Sequence, residues 1–379
     1  MAITKFKKYP KAYEYIVVGT DLVAKLIAVD LHRRGFQTLL LESYDSASMF
    51  SSQFSEDAYY FDRLGVLEDD PEMSQLIDRT NSIFGEPSLN AFSMEFQLKT
   101  FEGGSEKQFL GFGQRNYESI NEYQRYTSSK GFAFTRPIEE FLSQVSAAYL
   151  GDRLVKAKMT GIEFNEGSPQ EIIVNGNIKI STDNLVLALT PSKILDLLPE
   201  ALLPGRLRQK LAKTKMFSTL QLTVSHDDFE APGSEDLYFL MGGQPTDEAT
   251  IGRFFKNEDT SLSRWIHFIS PEMSSDYGFV GNQLKYLKRQ IKRIFPELVD
   301  NPHHIEKINL FSESQGFVEL NEKDMDSLRS FNHLFLTSPY FYPNVGLGSQ
   351  LKAFFEVYNR FDPNFVSPLK TPEDMMEKQ

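Results

Sequence analysis

Residues 19–24 read Gly-Thr-Asp-Leu-Val-Ala, and Glu42 follows about twenty residues later at the end of a second apolar run. This spacing suits a dinucleotide seat of the G-x-G-x-x-G/A kind. Gly19 makes the tight turn out of a strand, the helix that follows offers its N–H groups to a diphosphate, and Ala24 allows close helix-to-sheet packing. Glu42 is placed to accept from ribose hydroxyls, or else is simply the polar end of a strand. Asp21 departs from the pattern, because the middle glycine normally lets the diphosphate reach the backbone. One carboxylate about 4 Å from one phosphate charge costs about 4 kcal/mol at an effective dielectric near 20. The other reading of Asp21 is an N-cap whose carboxylate satisfies the helix N–H groups itself. Near the C-terminus Gly346, Gly348 and Ser349 form a second glycine loop, again leading into a helical pattern.

Other chemistry is thinly represented. His303 and His304 are adjacent and lack an H-E-x-x-H context, and no G-x-S-x-G elbow or P-loop occurs. Lys285, Lys288, Arg289, Lys292 and Arg293 recur at helical spacing, which suits a solvated face or an anionic-partner patch.

The elements that position the first motif are legible. Tyr15–Val18 is a strand, the crowded apolar positions from Leu22 to Leu31 predict a helix, Gly35 suits its left-handed cap, and Thr38–Leu41 is the next strand. Such a unit pairs its strands in parallel with a right-handed crossover. Residues 45–129 predict irregular helix and hairpin, and 135–150 predict a helix opened by Thr135 and Pro137. Short strands follow in VKAKMTGIEF, EIIV and IKI, with Asn175-Gly176 as a two-residue hairpin turn, and LVLAL is a further buried strand. Strand-like runs alternate from 216 to 320 around a long helix at Asn282–Phe295. HLFLTS, a turn-rich loop and a final helix close the pattern, and the polar tail is expected to fray.

With 379 residues the chain is long enough for two or three domains. Its 40 basic residues against 52 acidic ones give a formal charge of −12, which argues against nucleic acid as a partner. The absence of cysteine excludes disulfides, thiolate metal sites and flavin tethered through sulfur. Neither a transmembrane segment of about 18 apolar residues nor a leader-type start occurs, so a soluble, cytoplasmic protein is expected. The 32 Phe and 16 Tyr predict a bulky aromatic core or a cavity walled by rings.

Taken in order, the first strand–helix–strand unit, TRPIEEFL, the run LVKAKMTGIEF…IIVNGNIKISTDNLVLALTP and LFLTSPYFYPNVGLGSQLKAFF resemble the flavin-containing amine oxidase superfamily. That superfamily includes monoamine oxidases, protoporphyrinogen oxidases, phytoene desaturases and the flavin-free Rab GDP-dissociation inhibitors. The resemblance spans about half of the chain and implies an α/β fold: an FAD/NAD(P)-binding Rossmann-type domain with an α+β substrate domain. The expected boundaries are 1–70, 130–200 and 325–379 for the dinucleotide domain, and 71–129 and 201–324 for the substrate or partner domain. FAD is the implied cofactor, with Gly19, Thr20, Asp21, Ala24 and Glu42 at its adenosine half and Gly346, Gly348 and Ser349 at its flavin end. Tyr340 and Tyr342 are the implied substrate rings, though an aromatic plug is the alternative. The sequence departs from the family at Asp21, at the SYDSASMF stretch after Glu42, and at Ser338-Pro339, where a Gly-acid pair is usual. Two functions follow. One is an FAD-dependent oxidoreductase that takes hydride from a small amine-like or hydrophobic substrate. The other is a flavin-free pseudoenzyme that binds a protein partner or acts as a scaffold.

Overall fold

The computed structural model describes residues 12–42, 67–68, 71–85, 89, 91–134, 154–226, 229–256, 261–301, 303–343 and 346–361. The chain opens with β1 (Ala12–Val18), α1 (Leu22–Arg33) and β2 (Thr38–Glu42). Next come β3 (Leu67–Glu68), α2 (Pro71–Phe84), β4 (Ala91–Glu95), β5 (Gln97–Glu102), β6 (Ser105–Gln108), α3 (Ile120–Gln124) and β7 (Lys130–Phe134). A meander of β8 (Leu154–Lys156), β9 (Met159–Asn165), β10 (Ser168–Val174) and β11 (Ile178–Ala188) leads to α4 (Pro191–Leu197) and α5 (Gly205–Ala212). The second half runs β12 (Met216–Ser225), β13 (Asp236–Leu240), β14 (Thr250–Lys256), β15 (Ser261–Ile269), α6 (Tyr277–Lys292), α7 (Pro296–Asp300) and β16 (Ile305–Gly316). It ends with α8 (Glu322–Arg329), β17 (Leu334–Thr337) and α9 (Leu347–Phe361).

The first sheet has the order β8-β2-β1-β11-β10-β9, with β17 joined to β11. Parallel pairing links β8, β2, β1, β11 and β17, as the crossover in α1 requires. Successive side chains of β1 enter opposite cores. Val17 packs with α1, α2 and α9, while Ile16 and Val18 pack with α4, α5 and α8. Burial on both faces is why β1, β2 and the end of β11 are apolar runs rather than alternating ones.

β11 is one strand of eleven residues, where the sequence suggested two. Its first half pairs antiparallel with β10 and its second half runs parallel with β17, so the polar stretch Thr182–Asn184 lies inside a continuous strand. The turn at Asn175 holds three residues rather than two, since Val174 faces Ile178. Asn175 and Gly176 do adopt positive φ, at 51° and 80°. The predicted helix at 135–150, the SYDSASMF stretch and the C-terminal tail lie outside the described residues.

The second sheet has the order β16-β12-β15-β14-β13-β5-β6. One face carries Leu222, Val224, Tyr238, Phe254 and Trp265 against Leu287 and Ile291 of α6. Its other face holds Leu237, Phe239, Ile266 and Phe268 under Phe109, Phe112, Tyr117 and Tyr123. The many rings therefore build two aromatic layers around this sheet. Within the stretch 71–129, α2 packs Met73, Leu76 and Ile77 against α1 and α9, on the dinucleotide-type core. A small sheet of β3, β7 and β4 stands apart from both large ones. The two halves meet at Glu313, whose Oε2 accepts from the hydroxyls of Thr190 (3.0 Å) and Ser192 (2.9 Å).

Candidate dinucleotide site

The carboxyl edge of the first sheet collects most of the residues singled out in the sequence. After β1, the chain turns at Gly19, where an added Cβ would sit 2.4 Å from the Ala188 carbonyl oxygen and 2.9 Å from the Ala24 Cβ. Glycine is required there by close approach, and Ala24 is small because Gly19 packs on it. The Gly19 N–H donates to Leu41 O at 3.1 Å, which ties the loop to β2.

Thr20 and Asp21 are half-buried, and Asp21 occupies the N-cap position of α1 with φ −76° and ψ 168°. Its side chain closes no cap hydrogen bond, so the capping role expected of its carboxylate is corrected. The Val23 N–H instead donates to Gln350 Oε1 at 3.0 Å, in a buried contact between α1 and the first turn of α9. A longer side chain arriving from another helix has taken the donor that Asp21 was expected to satisfy.

Glu42, at the end of β2, is buried and lies with Oε1 3.4 Å from Lys25 Nζ on α1. Its backbone carbonyl accepts from Ala157 N–H at 3.1 Å. Both side chains of the pair are largely out of water, with relative exposures of 12% and 8%.

On the C-terminal side, Ser338 is fully buried and its Oγ accepts weakly from the Tyr340 N–H at 3.4 Å. Pro339 starts a single 3₁₀ turn that ends at Phe341. Tyr340 is half-buried, and its carbonyl accepts from the Val318 N–H at 2.8 Å. Tyr342 packs against both cores of the first sheet, and burial, reinforced by the Glu356 charge, pushes its hydroxyl well above the usual tyrosine range. Gly346 has φ 64° and begins the turn into α9; its carbonyl accepts from Ser349 Oγ at 2.9 Å and from the Gln350 N–H at 3.4 Å. Gly348 is buried in the first turn of α9.

The Val23–Gln350 bond thus brings the starts of α1 and α9 together, with Gly19, Asp21 and Ala24 on one side and Gly348 and Ser349 on the other. Glu42 stands on the neighbouring strand. Gln350 and Lys25 are the two participants that the sequence reading missed.

Polar groups also lie on the face of the second sheet opposite α6. Thr219, Gln221 and Thr223 alternate with Leu220, Leu222 and Val224, which face α6. Gln221 lies directly opposite Asn309 on β16, and both are buried, with Gln221 Oε1 and Asn309 Oδ1 lacking a hydrogen-bond partner. Further along, Glu248 Oε2, Tyr117 Oη and Ser119 Oγ are likewise out of contact with water. Burial pushes the Glu248 carboxyl up to about 7, with Ser119 acting against the shift and Glu118 adding to it. Burial pushes the His267 imidazole down to about 4, against hydrogen bonding to Ala249 O and Gln283.

Other candidates are accounted for structurally. His304 is hydrogen-bonded to Asn301 and the Leu298 carbonyl, and no group of three His, Asp or Glu suited to a metal occurs among the described residues. On α6, Lys288 pairs with Glu306 and Lys292 with Asp300, as a solvated face does. An open groove of about 940 Å³ at the far end of α1 is lined in part by Asp30, Arg33, Arg79 and Tyr358. Arg34, in the same groove, is tied to Asp30 at 2.9 Å and stacks on Tyr358 at 4.6 Å.

No protein-family model matches the chain, and no curated sequence does. Solved structures do. Cyclohexylamine oxidase from Brevibacterium oxydans superposes with a TM-score of 0.58 at 10% identity, over 91% of this chain and 95% of that one. Putrescine oxidase bound to putrescine gives 0.56 at 12% identity, over 93% and 98%. An oxidoreductase from Methanosarcina mazei gives 0.55 at 11% identity, over 91% and 99%. The chain has the two-domain fold of the flavin amine oxidases. At this identity the likeness establishes architecture, so each residue's role has to be argued from the site.

Against FAD, the cofactor implied by the resemblance, the frame of the site fits. Gly19 provides the close turn, α1 and α9 present their N-termini at one edge, and Glu42 closes the strand next to the loop. Gln350 Oε1 also shows that the Val23 N–H reaches an acceptor at hydrogen-bond length, as a phosphate oxygen would require. Two side chains work against a diphosphate: the Asp21 carboxylate by charge and Gln350 by position. Among the described residues, no helix is long and apolar enough to cross a membrane.

Proposed function

We propose that this chain is an FAD-dependent oxidoreductase acting on a small organic substrate that carries an N–H or O–H donor, an amine-like molecule fitting best. The observation that carries the reading is the meeting of α1 and α9 through Val23 and Gln350 at the carboxyl edge of the parallel sheet, beside Glu42. Two helix N-termini aimed at one place favour an anion there. Gly19, Thr20 and Ala24 would line the adenosine half, Glu42 would accept from the ribose, and Gly346, Gly348 and Ser349 would border the flavin end.

Bound FAD would supply the hydride-accepting chemistry, and the protein's part is placement and electrostatics. For the substrate, the unpartnered oxygens of Gln221 and Asn309 favour a donor-bearing group. Tyr340 is the better ring for a substrate contact, since Tyr342 is packed between the two cores.

A flavin-free binding protein of the same fold is the second reading, favoured by Lys25 holding Glu42 and by Gln350 holding the Val23 N–H. Purification separates the two. A yellow protein, or a colourless one that takes up FAD and forms product from a panel of primary amines, supports the oxidoreductase. A protein that stays colourless after incubation with FAD supports the binding protein.

A further inference from the structure

We infer that Gln350 is a built-in competitor for the diphosphate position, so that FAD enters only as this side chain leaves the start of α1. The inference rests on the flavin reading above and concerns what controls entry to that same site. Val23 is the second residue of α1, and its N–H belongs to the set that a helix cannot satisfy within itself. It is also a donor that a diphosphate at this fold position would use. Gln350 Oε1 is bonded to it at 3.0 Å in a contact that bridges 327 positions of sequence.

Three features make this an exchange rather than a fixed scaffold bond. Gln350 is polar yet only 3% exposed, on a turn of α9 whose neighbours Leu347, Leu351, Phe354 and Phe355 are all buried apolar residues. Among the described residues its side chain is held by one hydrogen bond, from the Val23 N–H, and a phosphate oxygen would take over that donor. Asp21 holds the adjoining N-cap position, yet the side chain bonded to the Val23 donor is that of Gln350, from a different helix.

Gln350→Ala should therefore bind FAD more tightly than the wild-type chain, by about fivefold, the value of one net hydrogen bond. Gln350→Glu keeps the acceptor, adds a negative charge beside the diphosphate, and should weaken binding by more than tenfold. The readout besides affinity is amide hydrogen exchange at Val23. It should quicken in Gln350→Ala without FAD and become protected again when FAD is added. A side chain that only stabilised the helix would lower FAD affinity in both variants.

FAD affinities are measured by quenching of flavin fluorescence for wild type, Gln350→Ala and Gln350→Glu, with exchange at Val23 followed in each. Opposite shifts in the two variants, with exchange restored by FAD, support the competition. Equal affinity in wild type and Gln350→Ala overturns it and leaves the flavin reading standing. No FAD binding by either chain, with Val23 released in Gln350→Ala, overturns the flavin reading and the competition together. If Gln350→Ala does not fold, Gln350→Glu against wild type decides: unchanged or tighter FAD binding overturns the competition.

Discussion

Asp21 and Asp276 hold the same N-cap position on two helices and behave differently. Asp276 accepts from the N–H groups of Gly278 and Phe279 on α6, whereas the Asp21 side chain makes no such bond on α1. A carboxylate left near a dinucleotide seat mainly repels a diphosphate, by about 4 kcal/mol per phosphate charge at about 4 Å before solvent screening. Asp21→Gly is accordingly expected to bind FAD at least about tenfold more tightly. Unchanged affinity in a fluorescence titration would remove charge repulsion from the account. Glu248 offers a second test at this scale. Its carboxyl is raised from 4.5 to about 7, so the folded chain holds a proton that the unfolded chain releases in that window, and stability falls as pH rises through it. His267, lowered from 6.5 to about 4, contributes the opposite slope, stability falling as pH drops through that range. Glu248→Gln should raise the melting temperature at pH 8 and change it little at pH 4. An equal shift at both would show that burial of this carboxylate is not the cause. At this scale the sequence revealed Gly19, Asp21, Ala24 and Glu42, because their spacing is local. Gln350 and Lys25 were invisible, since Gln350 acts on a residue at the other end of the chain and Lys25 looks like any helix lysine.

Elements were legible where period and punctuation agreed. The apolar stripe of α1, with Gly35 at φ 93° after it, and strands β12 to β15 follow the sequence pattern closely, whereas β16, β5 and β6 of the same sheet had no strand run assigned to them. The continuous β11 did not, because its polar middle resembles a turn and is held extended by pairing with β1, at Thr182 and Asn184, between the β10 and β17 ladders. Likewise α2 reads as an ambiguous acid-rich stretch until its apolar positions meet α1 and α9. Packing between elements supplies two tests. In β14, a Cβ on Gly252 would lie 1.9 Å from the Trp265 ring across the strand pair. Gly252→Ala should destabilise the chain by about 1–3 kcal/mol or more, and an unchanged denaturation midpoint would contradict this packing. Between α1 and β2, Lys25→Met leaves Glu42 buried without its ion-pair partner at a cost of about 3–5 kcal/mol. Loss of that magnitude in urea unfolding is the expected result, and a neutral outcome would mean that Glu42 is solvated.

At the scale of the whole molecule, two sheets with separate cores are joined by polar contacts that include the hydroxyls of Thr190 and Ser192 on Glu313. Glu313 itself sits at φ 45°, a conformation costly for a residue with a side chain, beside the register shift between Phe217 and Thr219. Its position at the junction explains why that backbone is held. The sequence showed that two domains exist, through the switch from a parallel unit to alternating strands, but gave no sign of this joint, which depends on residues more than a hundred positions apart. The flavin reading puts one ligand, FAD, between the converging helix ends. Purified protein incubated with FAD and then passed through gel filtration is predicted to carry the yellow flavin band with it, and FAD at about 100 times its dissociation constant should add about 2.7 kcal/mol to stability. A protein that elutes colourless, with a melting temperature that FAD does not move, would contradict it.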